Sequence, residues 1–151
     1  MTTPLYSAPL DQVTTAILGL LKGTGRTVYD HVFDGDPIRP PDTYGIFYRL
    51  LGGSSDPFPD LDDDPREVTL AYQVTAVSKY RNQCEATGRL FRDRVLARDG
   101  TGWVYGITLP AGWVCIDRRP DPAMPGIDRA GDGAASTFSL PLRFTITIAP
   151  D

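Results

Sequence analysis

Cysteine is scarce in this chain. Only Cys84 and Cys115 occur, and neither sits in a metal-binding or redox spacing; a reduced, cytosolic place of synthesis is the expectation. Positive charge is also short, since 15 Lys and Arg against 19 Asp and Glu leave a net charge of −4. That balance excludes a protein that coats duplex nucleic acid, because neutralising phosphates needs a surplus of Lys and Arg. No apolar run reaches the ~18 residues that a membrane-spanning helix needs, so no membrane span is expected. The opening "MTTPLYSAPLD" has no basic start followed by an apolar core and does not read as a signal peptide.

What is present is ordinary globular usage, 41% hydrophobic and 23% charged over 151 residues. That length fits a single domain over residues 1–151 with a respectable core. The departure is Gly 15 plus Pro 14, concentrated in three stretches. A compact core carrying long irregular loops is the expectation.

Residues 9–22, "PLDQVTTAILGLLK", place Val13, Ala16, Ile17, Leu20 and Leu21 in one apolar stripe and predict a helix. Ser7 suits its cap, Pro9 its first turn and Gly23 its end. "RTVYDHVF" (26–33) and "YGIFYRLL" (44–51) are aromatic and β-branched and read as strands, joined by the stiff "DGDPIRPPDT". In "EVTLAYQVTAVSK" (67–79), Val68, Leu70, Tyr72, Val74 and Ala76 point one way, and Thr69, Gln73, Thr75 and Lys79 the other. Eleven such residues span roughly 36 Å, about twice the usual strand, so projection beyond the domain is expected.

"YRNQCEATGRLFRDRVLAR" (80–98) predicts a second helix with Cys84, Thr87, Gly88, Phe91 and Val95 along one side, flanked by Leu90. Gly88 costs about 1 kcal/mol relative to Ala there, a cost accepted where another backbone comes close. "WVYGITL" (103–109) is ambiguous between strand and turn, and "GWVCIDR" (112–118) reads as a strand. Residues 117–137 show no periodicity and read as a long Pro/Gly-rich loop. In "FSLPLRFTITIAP", Phe138, Leu140, Leu142, Phe144, Ile146 and Ile148 alternate with polar residues, and Pro141 marks a sheet edge or bulge. The expected fold class is α+β: a small, mainly antiparallel sheet with two helices packed on one face.

Motifs for chemistry fail one by one. Asp60, Asp62 and Asp64 open like a calcium loop, but Pro65 and Ala71 stand where that loop needs Gly and a bidentate Glu. "KGTGRT" (22–27) follows a helix and leads into a strand, the reverse of a phosphate cradle, and reads as a helix stop. "GGSSD" (52–56) is not a nucleophile elbow. His31, the one histidine, sits with Tyr29 and Phe33 on a strand side with no triad around it. Cys84 and Cys115 fit core and strand packing. No catalytic residue, metal ligand or cofactor is expected, and the chain does not read as an enzyme.

The loops and charges are more informative. Residues 34–43, 52–66 and 117–137 are long connections for one small domain, and Phe58, Leu61, Met124 and Ile127 are apolar residues within them. Fixing loop backbone costs about 1–2 kcal/mol per residue, more than a core of this size readily offsets. These segments are therefore expected either to stay mobile, as a disordered 120–136 would, or to be ordered by neighbouring subunits, which the long strand and the apolar loop residues favour. Residues 54–67 carry Asp56, Asp60, Asp62, Asp63, Asp64 and Glu67 against Arg66. Residues 79–98 carry Lys79, Arg81, Arg89, Arg92, Arg94 and Arg98 against Glu85 and Asp93. Opposite patches allow head-to-tail contacts that close into rings, with Arg89, Arg92, Arg94 and Arg98 as candidate interface residues. The plainer alternative is a solvated basic helix face and an acidic loop.

The helix "LDQVTTAILGLLK", the aromatic "TYGIFYRLL", the strand-into-helix "VTLAYQVTAVSKYRNQCEATGRLFRDRVL" and the closing "FSLPLRFTITIAP" together resemble the tail terminator (tail-tube completion) proteins of long-tailed bacteriophages. The resemblance is one of element order and texture over most of the chain, and the 117–137 segment exceeds a minimal member. It implies a non-enzymatic, cofactor-free subunit of a homohexameric ring on the last ring of tail-tube protein, ending tube growth and meeting the head-side connector proteins. It places the protein in the virion, at the head-proximal end of the tail, after synthesis in the host cytoplasm. DNA would pass through the lumen without specific binding, and Asp60, Asp62, Asp63 and Asp64 become candidate lumen or inter-ring residues. Another neck or head–tail connector protein is the near alternative. A small ligand-binding or enzymatic α+β domain, with His31 and the acidic loop in a cleft, is the distant one.

Overall fold

A computed structural model describes residues 10–50, 67–122, 126–131, 133 and 136–151. The chain runs α1 (Leu10–Lys22), β1 (Val28–Asp30), β2 (Thr43–Arg49), β3 (Val68–Ser78), α2 (Arg81–Leu96), β4 (Arg98–Asp99), β5 (Gly102–Trp103), β6 (Trp113–Pro120), β7 (Asp128–Ala130) and β8 (Thr137–Pro150). The main sheet has the order β1-β2-β3-β8-β6, with β7 also paired to β8. Every pairing in it is antiparallel except β1 with β2. Both helices lie on one face, so the fold is α+β, as the patterning implies.

The periodic segments form as expected. In α1, Val13, Ile17, Leu20 and Leu21 are buried, and in α2 Cys84, Thr87, Gly88, Phe91 and Val95 are. Val68, Leu70, Tyr72, Val74 and Ala76 of β3 meet Leu142, Phe144, Ile146 and Ile148 of β8 beneath the helices. Phe47, Tyr72 and Phe144 stack across three strands, with centroids 5.4 and 5.8 Å apart. The Tyr72 hydroxyl shares a 3.1 Å hydrogen bond with Thr14 of α1, which satisfies the polar end of a fully buried ring.

Two glycines let α2 settle on the sheet. A Cβ on Gly88 would stand 2.7 Å from a methyl of Leu140, and one on Gly45 of β2 would stand 2.7 Å from the Phe91 ring. The close neighbour of Gly88 is thus a side chain, where the sequence suggests another backbone.

"KGTGRT" is a helix stop. The last four carbonyls of α1 are all engaged: Gly23 N–H donates to Gly19, Arg94 Nε to Leu20, Thr24 N–H and hydroxyl to Leu21, and Gly25 N–H to Lys22. Gly25 adopts the left-handed φ of 82° that such a cap needs.

Four expectations need correction. The strand read over 26–33 shrinks to Val28–Asp30, because His31 takes φ 69° and turns the chain out of the sheet. The long strand does not project: β8 pairs with β3 from Val68 to Ser78, and β2 covers its other edge from Tyr72. The 117–137 segment is not one loop, since β6 runs on to Pro120 and Asp128–Ala130 pairs with Ser139–Thr137 of β8. Pro141 lies in an interior strand, yet in the one stretch of β8 that neither β6 nor β7 covers. Asp121 N–H reaches the Arg143 carbonyl from that side. Pro141, two residues away, therefore aims its missing N–H into the gap, where no ladder bond is lost.

Candidate functional site

The face of the sheet turned away from the helices is uncovered by any described element. Tyr44, Ile46 and Tyr48 of β2, Thr69, Gln73 and Thr75 of β3, and Arg143, Thr145 and Thr147 of β8 share it. Threonine and tyrosine keep strand preference high while leaving hydroxyls for water or a partner. At its centre Arg143 Nε donates to Gln73 Oε1 at 2.8 Å, and Gln73 Nε2 donates to Tyr48 Oη at 2.6 Å and Thr75 Oγ1 at 3.0 Å. Thr69 and Thr147 share a 3.0 Å bond across the β3–β8 pair. Toward β1, Tyr29, Phe33 and Tyr44 form an aromatic triangle with centroids 4.9 to 5.7 Å apart. Partial burial, with Tyr29 beside it, pushes the Tyr44 phenol above its ordinary value.

The β6 end of the sheet is basic. A β-bulge between Cys115 and Asp117 shifts the alternation, so Asp117 pairs with Thr147 on the open face and Arg118 with Ile146 on the helix side. Without that extra residue Asp117 would turn toward the C-terminus of α2, where a carboxylate is repelled and a cation favoured. Arg118 instead lies 95% buried and donates from Nη1 to the Val95 carbonyl at 3.1 Å. Its guanidinium stands 4.9 Å from the centre of the Trp103 ring, which Arg98 also approaches at 4.7 Å. The Nε of Arg118 has no hydrogen-bond partner among the described residues. Arg92, Arg98, Arg118 and Arg119 converge with Asp93 and Asp117 around an open hollow of about 470 Å³.

The structure divides the four candidate interface arginines. Arg89 and Arg92 project from α2 into solvent. Arg94 is half-buried and works inside the subunit: it caps α1 through Leu20 at 2.9 Å and lies 4.1 Å above the Tyr105 ring. Arg98 is exposed but leans on Trp103. Asp60, Asp62, Asp63 and Asp64 lie outside the described residues, as do Ser7, Pro9 and "GGSSD". His31 is exposed beside Asp30 rather than seated in a strand cleft.

Cys84 is fully buried, its thiol donates to the Ala76 carbonyl at 3.4 Å, and burial pushes its pKa up to about 11. A protonated, sealed thiol is core material. Sequence patterning missed Arg118, Arg119 and Trp103. The only signal was the Trp103–Arg98 proximity that a tight β4–β5 turn creates, and "WVYGITL" is too irregular to show it.

No protein-family model matches the sequence. Over 117 residues the chain is 32% identical to the phosphoribosylaminoimidazole-succinocarboxamide synthase of Rhodococcus erythropolis (strain PR4 / NBRC 100887). The match takes in 71% of this chain and 38% of that protein, so the chain spans well under half the length of the relative. The features set against that likeness are a one-sided sheet, its two ends and an arginine-lined hollow.

Proposed function

We propose that this protein is a structural subunit that assembles into a ring, likened above to the phage tail terminators, which caps a tail tube, ends its polymerisation and presents a surface to the head-side connector. The observation that carries this reading is the sheet left uncovered on one face among the described residues. That face is clad in half-buried threonine and tyrosine around a bonded Arg143–Gln73–Tyr48 chain. Such a surface is polar enough for a free protomer to stay dissolved and ordered enough to be covered by another protein without large rearrangement. The role asks for no catalysis and no cofactor. Another neck or connector protein would use the same surface in the same way.

Adding purified protein to polymerising tail-tube protein should halt elongation and leave a ring at the tube end under the electron microscope. Tubes that grow at the same rate to the same length overturn the reading.

The synthase relative supports a second reading, in which the arginine hollow beside β6 takes the phosphate of a phosphoribosyl compound. Calorimetry with phosphoribosyl ligands separates the two. Binding lost in Arg92→Glu/Arg119→Glu favours the second, and no heat of binding favours the ring.

A further inference from the structure

The two ends of the main sheet carry opposite charge, and each bears exposed apolar side chains. At the β1 end, the segment that follows His31 holds Asp34 and Asp36 against one exposed base, Arg39, and neither aspartate is in an ion pair among the described residues. Asp36 Oδ1 accepts from the Ile38 N–H at 2.9 Å, fixing a turn that thrusts Ile38 out to 86% exposure, with Val32 at 65%. Gly35 packs close to Phe33 and Tyr29, which holds this acidic segment against the edge of the sheet.

At the β6 end the signs reverse. β6 pairs with β8 on one side only among the described residues, and Val114 and Ile116 stand 40% and 45% exposed along it. Arg92 and Arg119 flank the strand through the hollow described above; Arg119 is paired through Nε with Asp117 of its own strand, and Arg92 is in no ion pair among the described residues. The bulge at Ile116 lifts that side chain off the regular alternation and toward the open face, where it lines a shallow groove with Thr147, Arg119 and the carboxylates of Asp117 and Glu67, so the positive charge of this end lies on the Arg92 side of the strand.

We infer that the β6 end of one copy docks on the β1 end of the next, with Ile116 and Val114 against Ile38 and Val32, and Arg92 and Arg119 facing Asp34 and Asp36. The occupant is a second copy because the complement to each end is found at the other end of the same sheet. A contact between two different patches of one chain is heterologous, so it repeats from copy to copy and closes when the rotation allows. Joining end to end also removes an open strand edge, a feature that soluble proteins cover or charge. This inference rests on the ring reading and adds to it which surfaces touch.

The test compares native mass for the full chain and two charge-reversed variants, Arg92→Glu/Arg119→Glu and Asp34→Lys/Asp36→Lys. All four positions are exposed, and circular dichroism checks that each variant folds. In either variant alone, like charges meet at every junction, so rings should appear only at concentrations more than about tenfold higher than for the unaltered chain. An equimolar mixture restores opposite charges at both kinds of junction and should regain rings with the two variants alternating. Ile116→Lys should also weaken the ring without unfolding the protomer. An unaltered chain that stays monomeric at every concentration overturns the inference, as do variants that form rings as readily as it does. If tube growth is still halted while ring mass ignores these substitutions, the contact is wrong and the capping role stands. If the rings behave as expected but tubes grow on, the contact stands and the capping role falls.

Discussion

On the helix-covered face of the sheet, Leu70, Tyr72, Val74, Ile146 and Ile148 are sealed from solvent. On the other face Thr69, Thr75, Thr145 and Thr147 keep part of their surface wet. The same strands supply both faces, and the period of two decides which residue goes where. The covered face is held by dispersion and burial, with shared hydroxyl bonds between Thr14 and Tyr72 and between Thr43 and Ser78 where hydroxyls intrude. The open face is held by hydrogen bonds that join half-buried Tyr48, Thr75 and Arg143 with a buried Gln73, and half-buried Thr69 with Thr147. Stability should therefore respond steeply to changes on the first face and weakly on the second, while assembly should respond to the second and to the sheet ends.

The largest effect should come from Phe91→Ala. Phe91 is fully buried and fills the space above Gly45, so its loss removes a large apolar contact and leaves a cavity, at a cost of about 3–5 kcal/mol. Urea unfolding of the purified protomer measures it, and a change below 1 kcal/mol, as for a surface site, would erase the distinction between the faces.

That sealed face was also the legible part of the sequence. The α2 stripe of Cys84, Thr87, Gly88, Phe91 and Val95 is buried residue for residue as its spacing implies, as are the inward positions of β3 and, in β8, Leu142, Phe144, Ile146 and Ile148, while Phe138 and Leu140 are only half-buried. These segments are long, and each carries one period throughout, so local pattern and tertiary packing agree. The miss at β1 has a plain cause. Three residues carry too little period to bound a strand, and nothing local announces that Val28–Asp30 runs parallel to β2. The arginine hollow stayed hidden because one bulged residue swaps Arg118 for Asp117, and no alternation rule foresees an inserted residue. The gap that admits Pro141 was half visible, since a proline in a strand signals a missing partner without saying on which side.

Next in size is a pH effect on the covered face. The Cys84 thiol ionises near 9.0 in an unfolded chain but holds its proton to about 11 when folded, because burial disfavours the thiolate. Between those values only the unfolded state sheds the proton. The stability contribution is thus whole below pH 9 and is lost as pH rises toward 11, by about 2–3 kcal/mol. Burial raises the Tyr72 phenol as well, against the pull of its Thr14 bond and nearby Arg49, so it steepens the same alkaline fall. Urea midpoints followed from pH 8 upward should drop, and Cys84→Ala should flatten the early part of that drop. An unchanged slope in the variant would assign the fall to other groups.

The two glycines under α2 sharpen the comparison within the covered face. Gly45→Ala drives a methyl into the Phe91 ring, which is walled in on all sides, and should cost about 1–3 kcal/mol. Gly88→Ala meets only the end of the half-buried Leu140 side chain, which has the gap beside Pro141 to move into. The helix preference of alanine, about 1 kcal/mol, offsets most of that displacement, so the net change should lie near zero. Thermal unfolding of the two variants side by side reads the difference. Equal losses would mean that the gap is closed to Leu140.

The smallest effect belongs to the open face, and it is the most telling for function. Tyr48→Phe removes the phenolic oxygen that accepts from Gln73 Nε2, but Thr75 Oγ1 still accepts from the same amide and the ring edge stays in contact with water. Gln73 is itself buried, but its amide keeps the Thr75 partner and Tyr48 is only half-buried, so the loss should cost the protomer no more than about 0.5–1 kcal/mol. If this face is covered in an assembly, the same deletion falls in a dry interface, where an amide short of one partner is more costly. The variant should then lower tube capping or ring stability by more than it lowers protomer stability. Equal losses in both measurements would mean that water reaches Gln73 in either state and that the open sheet face is not the surface a partner covers.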